Sequence, residues 1–389
     1  MSHLAPFAAS SSRDVDRDSP SARERRIASM AFEPYDASRA LAPVPVEFVH
    51  ETASDSLSFE RTRALNAARA ACAADFTDTD DDAQRRAYER YVALASEACA
   101  VLEMKPLAAG GDAASECLRW RSALEGAGAS RDTYASPGLL GERAFALFGL
   151  AGCHRRACAR AMREGDDAAS AATSARIAAG VFAYLANEVL PPLRPTLETF
   201  RANELTVSMS EVMRLVSLGD AQGRAARRAR EKNSGWNLVA RLHVAARNFY
   251  READAVIQRS RCDWNGVDIV LLASVELGKS SHEAEAYLAL AEAFRARDEC
   301  GQAVAACARA GEALDNCAQA SKEHPAWDAY HREIVARHQE IATKTRKEND
   351  VVFFQKVPPT AAPLPEPAVV ATAIAYEPKE PSTHSFFVG

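Results

Sequence analysis

HEAEAYLALAEAFRARDECGQAVAACARAGEAL, residues 282–314, reads as two helices that must lie against each other. Ala286, Ala289, Ala293, Ala303, Ala306 and Ala310 recur at helical spacing, where small side chains let two backbones approach. The turn RDECGQA separates the two runs. This is the pattern of a tetratricopeptide-type hairpin, which buries its apolar face only by stacking on neighbours. A single convincing copy is present, so the pattern does not support a true repeat array.

Working outward, helical periodicity predominates. Helices are predicted from about Leu57 to Ala74, Ala83 to Met104, Glu116 to Leu124 (carrying Trp120) and 142–161. Another opens at Asp166-Asp167 and runs to Leu190, stopping at Pro191-Pro192. Long stretches follow at 196–218 and 221–258, with a kink or a break expected at Gly219-Asp220 and likewise at Asn233-Ser234-Gly235. Residues 267–277 read as helix, and a last helix spans about 325–347. PVPVEFVHE, 43–51, alternates apolar and polar positions and is the best strand candidate. Residues 1–40 read as a disordered extension, 41–389 as one domain, and about 358–389 as a Pro-rich strap. The fold class is all-α with a small N-terminal β element.

Composition narrows the function. The apolar fraction of 48% with 26% charged residues fits a globular domain with a large core. A net charge of −6 argues against a general nucleic-acid binder. Nine scattered cysteines without a C-x-x-C pair read as reduced thiols. The N-terminus lacks the apolar core of a secretory signal, Ser2 excludes myristoylation, and the ending SFFVG offers no cysteine for prenylation. A cytoplasmic protein without a transmembrane segment is expected.

Chemistry-bearing patterns are sparse. VDIVLLASVELGKSSHEAEAY, 267–287, imitates a phosphate-binding loop at 273–280. That motif needs Gly where Ala273 stands, and no strand ending in Asp follows to hold a magnesium ion, so an NTPase is a remote alternative. His324, His331 and His338 recur every seventh residue, roughly 10 Å apart along a helix and too far for one ion. Cys153, His154 and Cys158 share a helix without a second ligand pair. No catalytic constellation, cofactor or metal is expected.

Four stretches, in order, resemble the Bro-one domain family, the Alix-like domain associated with ESCRT-III membrane remodelling. ERAFALFGLAGCHRRACA (142–159) and AAGVFAYLANEVLPPL (178–193) are similar to two successive family helices. The hairpin at 282–314 resembles the family's helical pair, and ENDVVFFQKVP (348–358) its exit segment. LPEPAVVATAIAYEP (364–378) fits the closing strap, so the resemblance covers about 45–385. It implies a boomerang-shaped helical solenoid in a domain-only, non-enzymatic adaptor recruited to endosomes. It also implies the partner: the amphipathic C-terminal helix of an ESCRT-III subunit of the charged multivesicular body protein class, received in an apolar groove.

Carried over residue by residue, the resemblance places the groove on WNLVARLHVAARNF, 236–249. Leu238 and Leu242 match its two aliphatic positions and Arg241 a basic one. Upstream, Ala225 stands where the family has an aromatic residue, a loss of roughly 1–3 kcal/mol of anchoring. Asp166 lies near a family acidic position, whereas the accompanying lysine is missing. These departures leave open a scaffold of the same fold with another partner. Arg224, Arg227 and Arg228 share a predicted helix face that would suit a solvated surface, an acidic partner or peripheral contact with an anionic membrane.

Overall fold

A computed structural model of the chain describes residues 41–44, 59–73, 81–101, 118–125, 133–163, 168–197 and 201–378. The long helices are α1 (Phe59–Cys72), α2 (Asp81–Val101), α3 (Gly138–Arg163), α4 (Ala168–Tyr184) and α5 (Val207–Glu231). They continue with α6 (Trp236–Ser260), α7 (Ile269–Arg295), α8 (Cys300–Cys317) and α9 (Pro325–Glu348). Each packs chiefly on the helix before it and the helix after it, which makes the domain a solenoid. Small residues allow the close stacking: Ala286, Ala303, Ala306 and Ala310 are fully or almost fully buried between α7 and α8.

A three-stranded antiparallel sheet closes the N-terminal end, with β2 (Arg119–Arg121) between β1 (Ala42–Pro43) and β3 (Tyr134–Ala135). Trp120, expected on a helix, lies in the central strand instead. Its ring stacks on Phe145 at 5.1 Å and its indole N–H donates to Glu142 Oε1 at 2.9 Å. Glu142 is completely buried, and its other oxygen accepts from Arg69 Nε (2.8 Å) and the Tyr91 hydroxyl (2.5 Å). Arg69 also donates to the carbonyls of Val44 and Arg119. One carboxylate thus ties the sheet to α1, α2 and α3, and this tertiary requirement overrides the weak local helical pattern. The strand expected at 43–51 is described only at its first residues; 45–58, like 1–40, lie outside the described residues.

Two further boundaries differ from the sequence pattern. Pro191-Pro192 do not stop the chain: a π-turn (Leu185–Val189) is followed by the helical turn Leu190–Leu193, in whose first positions the prolines need no N–H donor. Gly219 does not break α5. It admits the Tyr250 ring of α6, whose edge would lie 2.7 Å from an added Cβ. The chain reverses at 232–235, where Asn233 (φ 52°) and Gly235 (φ 90°) supply left-handed backbone. Residues 269–295 form one continuous helix, so the phosphate-loop reading of 273–280 is ruled out: those N–H groups lie inside a helical ladder.

After a left-handed Phe354, residues 355–378 run without regular secondary structure back across the solenoid. Backbone contacts hold part of this strap. Ile374 donates to the Arg176 carbonyl (3.0 Å), and Gly180 of α4 lies directly beneath the Ile374 carbonyl oxygen. A methyl group at 180 would overlap that oxygen, and neither atom belongs to a rotatable side chain. Gly180→Ala is therefore expected to lift the strap while α4 persists. Hydrogen exchange over 368–376 should accelerate at least tenfold with helical circular dichroism unchanged; parental protection there would show that the contact does not hold the strap.

Candidate partner-binding site

The α5–α6 hairpin carries Ala225, Leu238, Arg241 and Leu242, four of the five residues that the resemblance assigns to partner binding. Thr206 caps α5 by accepting from the Met209 N–H at 3.3 Å, and the 232–235 turn sends α6 back antiparallel. Helix α6 then packs on α5 on one side and α7 on the other. The shared cluster contains Ala226, Ala229, Val239, Ala240, Leu242 and Ala289.

Within this frame the two leucines part. Leu238, in the first turn of α6, is 39% exposed, and Leu242, one turn on, is 4% exposed. Both carry the helical spacing of one face, but Leu242 is covered by the α5–α6–α7 cluster. An exposed aliphatic pair is therefore not what the hairpin presents. Its exposed apolar residues here are Leu238 and Trp236, the latter 38% exposed. Trp236 and Val239 line a cavity of about 80 Å³ with Arg230 and the turn residues 233–235. Ala225 is half-buried on α5, and Asp166 lies outside the described residues.

Arg241 points away from the core, and its Nε donates to the Glu366 carbonyl of the strap at 3.1 Å. Its own carbonyl accepts from Ala368 N. Gln222, fully buried on α5, completes the clamp. Its amide donates to the carbonyls of Ala368 (2.9 Å) and Leu242 (3.3 Å), and its oxygen accepts from the N–H groups of Val370 and Ala371, both at 3.0 Å. The sequence shows Gln222 inside Ala221-Gln222-Gly223-Arg224-Ala225, but its role depends on a segment about 150 residues away.

The three arginines expected on one surface also divide. Arg228 is exposed, Arg227 half-buried and Arg224 buried. Arg224 and Arg227 line a small cavity between α5, α6, α7 and α9, together with Asp220, Arg230, His243 and Glu285. Membrane contact or a solvated face therefore fits Arg228 alone of the three. Asp220 is held by Arg155 (2.9 Å) and the Tyr250 hydroxyl (2.5 Å). Glu285 is held by Arg230 (3.2 Å) and Arg337. Burial opposes charge on Glu285, but Arg337 and Arg230 outweigh it and hold the carboxyl well below the usual range.

His243 and His282 share a hydrogen bond between their Nδ1 atoms, 3.1 Å apart, so one ring donates and the other accepts. Burial, reinforced by Arg224 and Arg227, pushes His282 down to about 4. Burial likewise holds His243 well below its ordinary value, with His282 and neighbouring arginines adding to the effect. No signal marked these two histidines in the sequence, because 39 residues separate them. His331 and His338 bond the carbonyls of Leu314 and Cys307, and His324 caps α9.

The sequence between Val46 and the end of the strap matches a family model. The model describes a BRO1-like domain and spans residues 46–388. The chain belongs to that family. A human BRO1 domain-containing protein named BROX is 25% identical over 210 residues, 51% of this chain and 50% of the relative. The BROX of Xenopus tropicalis is 23% identical over 214 residues, with the same coverage. The chain thus spans about half the length of the curated relatives it matches. Among solved structures, an ALIX BRO1 domain in complex with CHMP4C has a TM-score of 0.66 at 16% identity, covering 90% of this chain and 97% of the other. A Bro1 domain described as the basis for endosomal targeting has a TM-score of 0.63 at 11% identity, covering 88% and 93%. The boomerang-shaped helical solenoid is therefore the fold of this BRO1-like domain. Among the described residues no helix is long and apolar enough to cross a membrane.

The histidine pair gives this BRO1-like domain a pH signature. A folded pKa near 4 against an ordinary 6.5 means stability fully present above pH 6.5 and lost as pH falls through about 4. Glu125 and Glu333, pushed up to about 7 by burial, work in the opposite direction over part of that range. The diagnostic is therefore a difference between proteins. His282→Gln should lower Tm at pH 7.5 and approach the parent as pH falls to 4.5, a change of order 2 kcal/mol. A gap that stays constant across this range in thermal scans would refute the neutral buried pair.

Proposed function

We propose that this BRO1-like domain is a non-enzymatic adaptor of the ESCRT machinery, with the α5–α6 hairpin as the dock for the amphipathic C-terminal helix of an ESCRT-III subunit. One observation carries the reading: in a chain of this family, the hairpin at 207–260 exposes Leu238 at the position that the family resemblance assigns to partner contact. The ALIX BRO1 domain of similar fold is found with CHMP4C, an agreement in kind. Leu238 supplies an apolar anchor, Trp236 and its neighbouring cavity add apolar area, and Arg241 offers N–H groups to partner carboxylates. Leu242 acts from beneath by fixing α6 to α5 and α7. Recruitment to endosomes follows from the partner, with Arg228 as the exposed cation available to an anionic membrane.

A second reading, a scaffold with a different partner, is favoured by Ala225. Without an aromatic side chain there the groove is shallower, by roughly one to two decades of affinity.

Fluorescence anisotropy with a labelled C-terminal helix from an ESCRT-III subunit of the same cell separates the two. Micromolar binding is expected, weakened at least tenfold by Leu238→Asp and by Arg241→Glu. Ala225→Phe should tighten it about tenfold. Leu242→Asp is no test of contact, because a carboxylate at a 4% exposed site would unfold the hairpin. Absence of binding, or binding indifferent to Leu238, would transfer the function to the second reading.

A further inference from the structure

Where α9 ends, the chain turns three large apolar side chains into solvent. A π-turn (Asn349–Phe353) follows the helix, and Phe354 then reverses the backbone in the left-handed region (φ 50°). Val351 and Val352 are each 63% exposed and Phe354 75%, with Val357 exposed beyond them.

This tip is held in a fixed frame. The carbonyl of buried Asn349 accepts from the Phe354 N–H. The Asn349 side chain donates to the Gln355 carbonyl (2.9 Å) and accepts from the Gln355 N–H (3.1 Å). The Gln355 side chain in turn accepts from the Gly301 N–H in the first turn of α8 (3.0 Å) and donates to the Asp298 carbonyl (2.6 Å). A Cβ at Gly301 would lie 2.6 Å from the Lys356 carbonyl oxygen, so that position admits only glycine. The tip is thereby fastened to the connection between α7 and α8, with Val351, Val352 and Phe354 turned outward.

Phe354 is the residue least explained by folding. A bulky side chain at positive φ is an outlier, at a position where glycine or asparagine is the ordinary choice. A ring three-quarters exposed recovers little of that backbone strain by burial within the domain. Charge points to what receives it. Between 344 and 357 stand Lys344, Arg346, Lys347 and Lys356, all exposed, against Glu348 and Asp350. Glu348 is engaged by Arg295 of α7 at 2.8 Å, and Asp298 adds an exposed carboxylate on the adjoining turn. Lys347 precedes Val351 by one helical turn and Lys356 follows Phe354 by two residues, so cations flank the apolar tip on both sides. This basic surplus stands in a chain whose net charge is −6.

We infer that the 349–357 tip is an insertion loop for bilayers rich in anionic phospholipid. Val351, Val352 and Phe354 enter the acyl boundary, and Lys344, Lys347 and Lys356 meet the headgroup phosphates. An apolar tip flanked by cations matches the layers of that interface, apolar within and negative at the surface. Each cation near such a surface raises binding about fivefold, and burial of a phenylalanine side chain at least tenfold. None of these residues belongs to the α5–α6 hairpin, so lipid binding here is independent of what docks on Leu238.

The test is co-sedimentation of the full chain with phosphatidylcholine vesicles containing about one-third phosphatidylserine. Binding should be at least tenfold tighter than to phosphatidylcholine alone and weaken when salt is raised to about 0.5 M. Phe354→Asn should lower it at least tenfold with Tm unchanged or higher, since asparagine suits left-handed backbone. A fall in Tm would mark a ring that serves the fold, against the inference. Arg228→Glu should leave binding within about twofold, because that cation lies on another helix. Hydrogen exchange over 349–357 needs no variant and should slow when the vesicles are added. Failure to bind them, equal binding by Phe354→Asn, or unchanged exchange at 349–357 (the outcome if the tip meets a protein instead) would each overturn the assignment.

Discussion

Tyr250 and its two glycines hold the middle of the solenoid together. The ring of Tyr250, on α6, is completely buried between Gly219 of α5 and Gly278 of α7, each near enough that a Cβ would collide with it. Its hydroxyl donates to Asp220 at 2.5 Å, and Asp220 accepts from Arg155 of α3 at 2.9 Å. Four helices are thereby registered on one ring and one carboxylate. Such a buried pair adds little net stability over an apolar substitute, but removal of one member leaves a charge stranded at a cost of about 3–5 kcal/mol. Specific positioning of each helix, more than gross stability, follows from it.

That constraint explains why the glycines sit where they do. In a helix interior each glycine gives up about 1 kcal/mol relative to alanine. Gly219 and Gly278 accept that loss because a buried ring packed against both backbones removes far more apolar area from water than two methyl groups would. The same close approach brings the polar faces of α5, α6 and α7 together behind the ring, where His243, His282 and Arg224 are found. The polar cavity is thus the reverse side of the packing that makes the hairpin rigid.

The sequence showed much of this fold and less of its site. Alanine spacing in 282–314 revealed the α7–α8 pair because local periodicity is what a helix hairpin needs. Trp120 was misplaced because its strand is only three residues long and exists through Glu142, twenty-two positions away. Gly219 looked like a break because a helix-interior glycine and a stop carry the same letter; Tyr250, thirty-one residues on, decides between them. Leu238 and Leu242 have identical spacing signals, and only the position of the 232–235 turn makes one exposed and the other covered. Arg224 and Arg227 read as a surface stripe because the walls that enclose them come from α6, α7 and α9.

Three separate restraints converge on α6. The Gln222–Arg241 clamp fastens the strap along one side, the cluster around Leu242 fills the other, and the cavity residues close its underside. Under the proposed function, a partner helix docked on Leu238 would meet a surface already ordered by folding, about 1–2 kcal/mol per backbone residue that binding need not supply. This would matter for a dock that has Ala225 in place of an aromatic anchor. On that proposal, affinity at a shallow contact would depend on how little the receiving helix must reorganise, so residues that do not touch the partner would set much of the binding free energy. Gln222 is the clearest case: completely buried, it joins α5, α6 and the strap through four hydrogen bonds, and its loss would free the helix that presents Leu238.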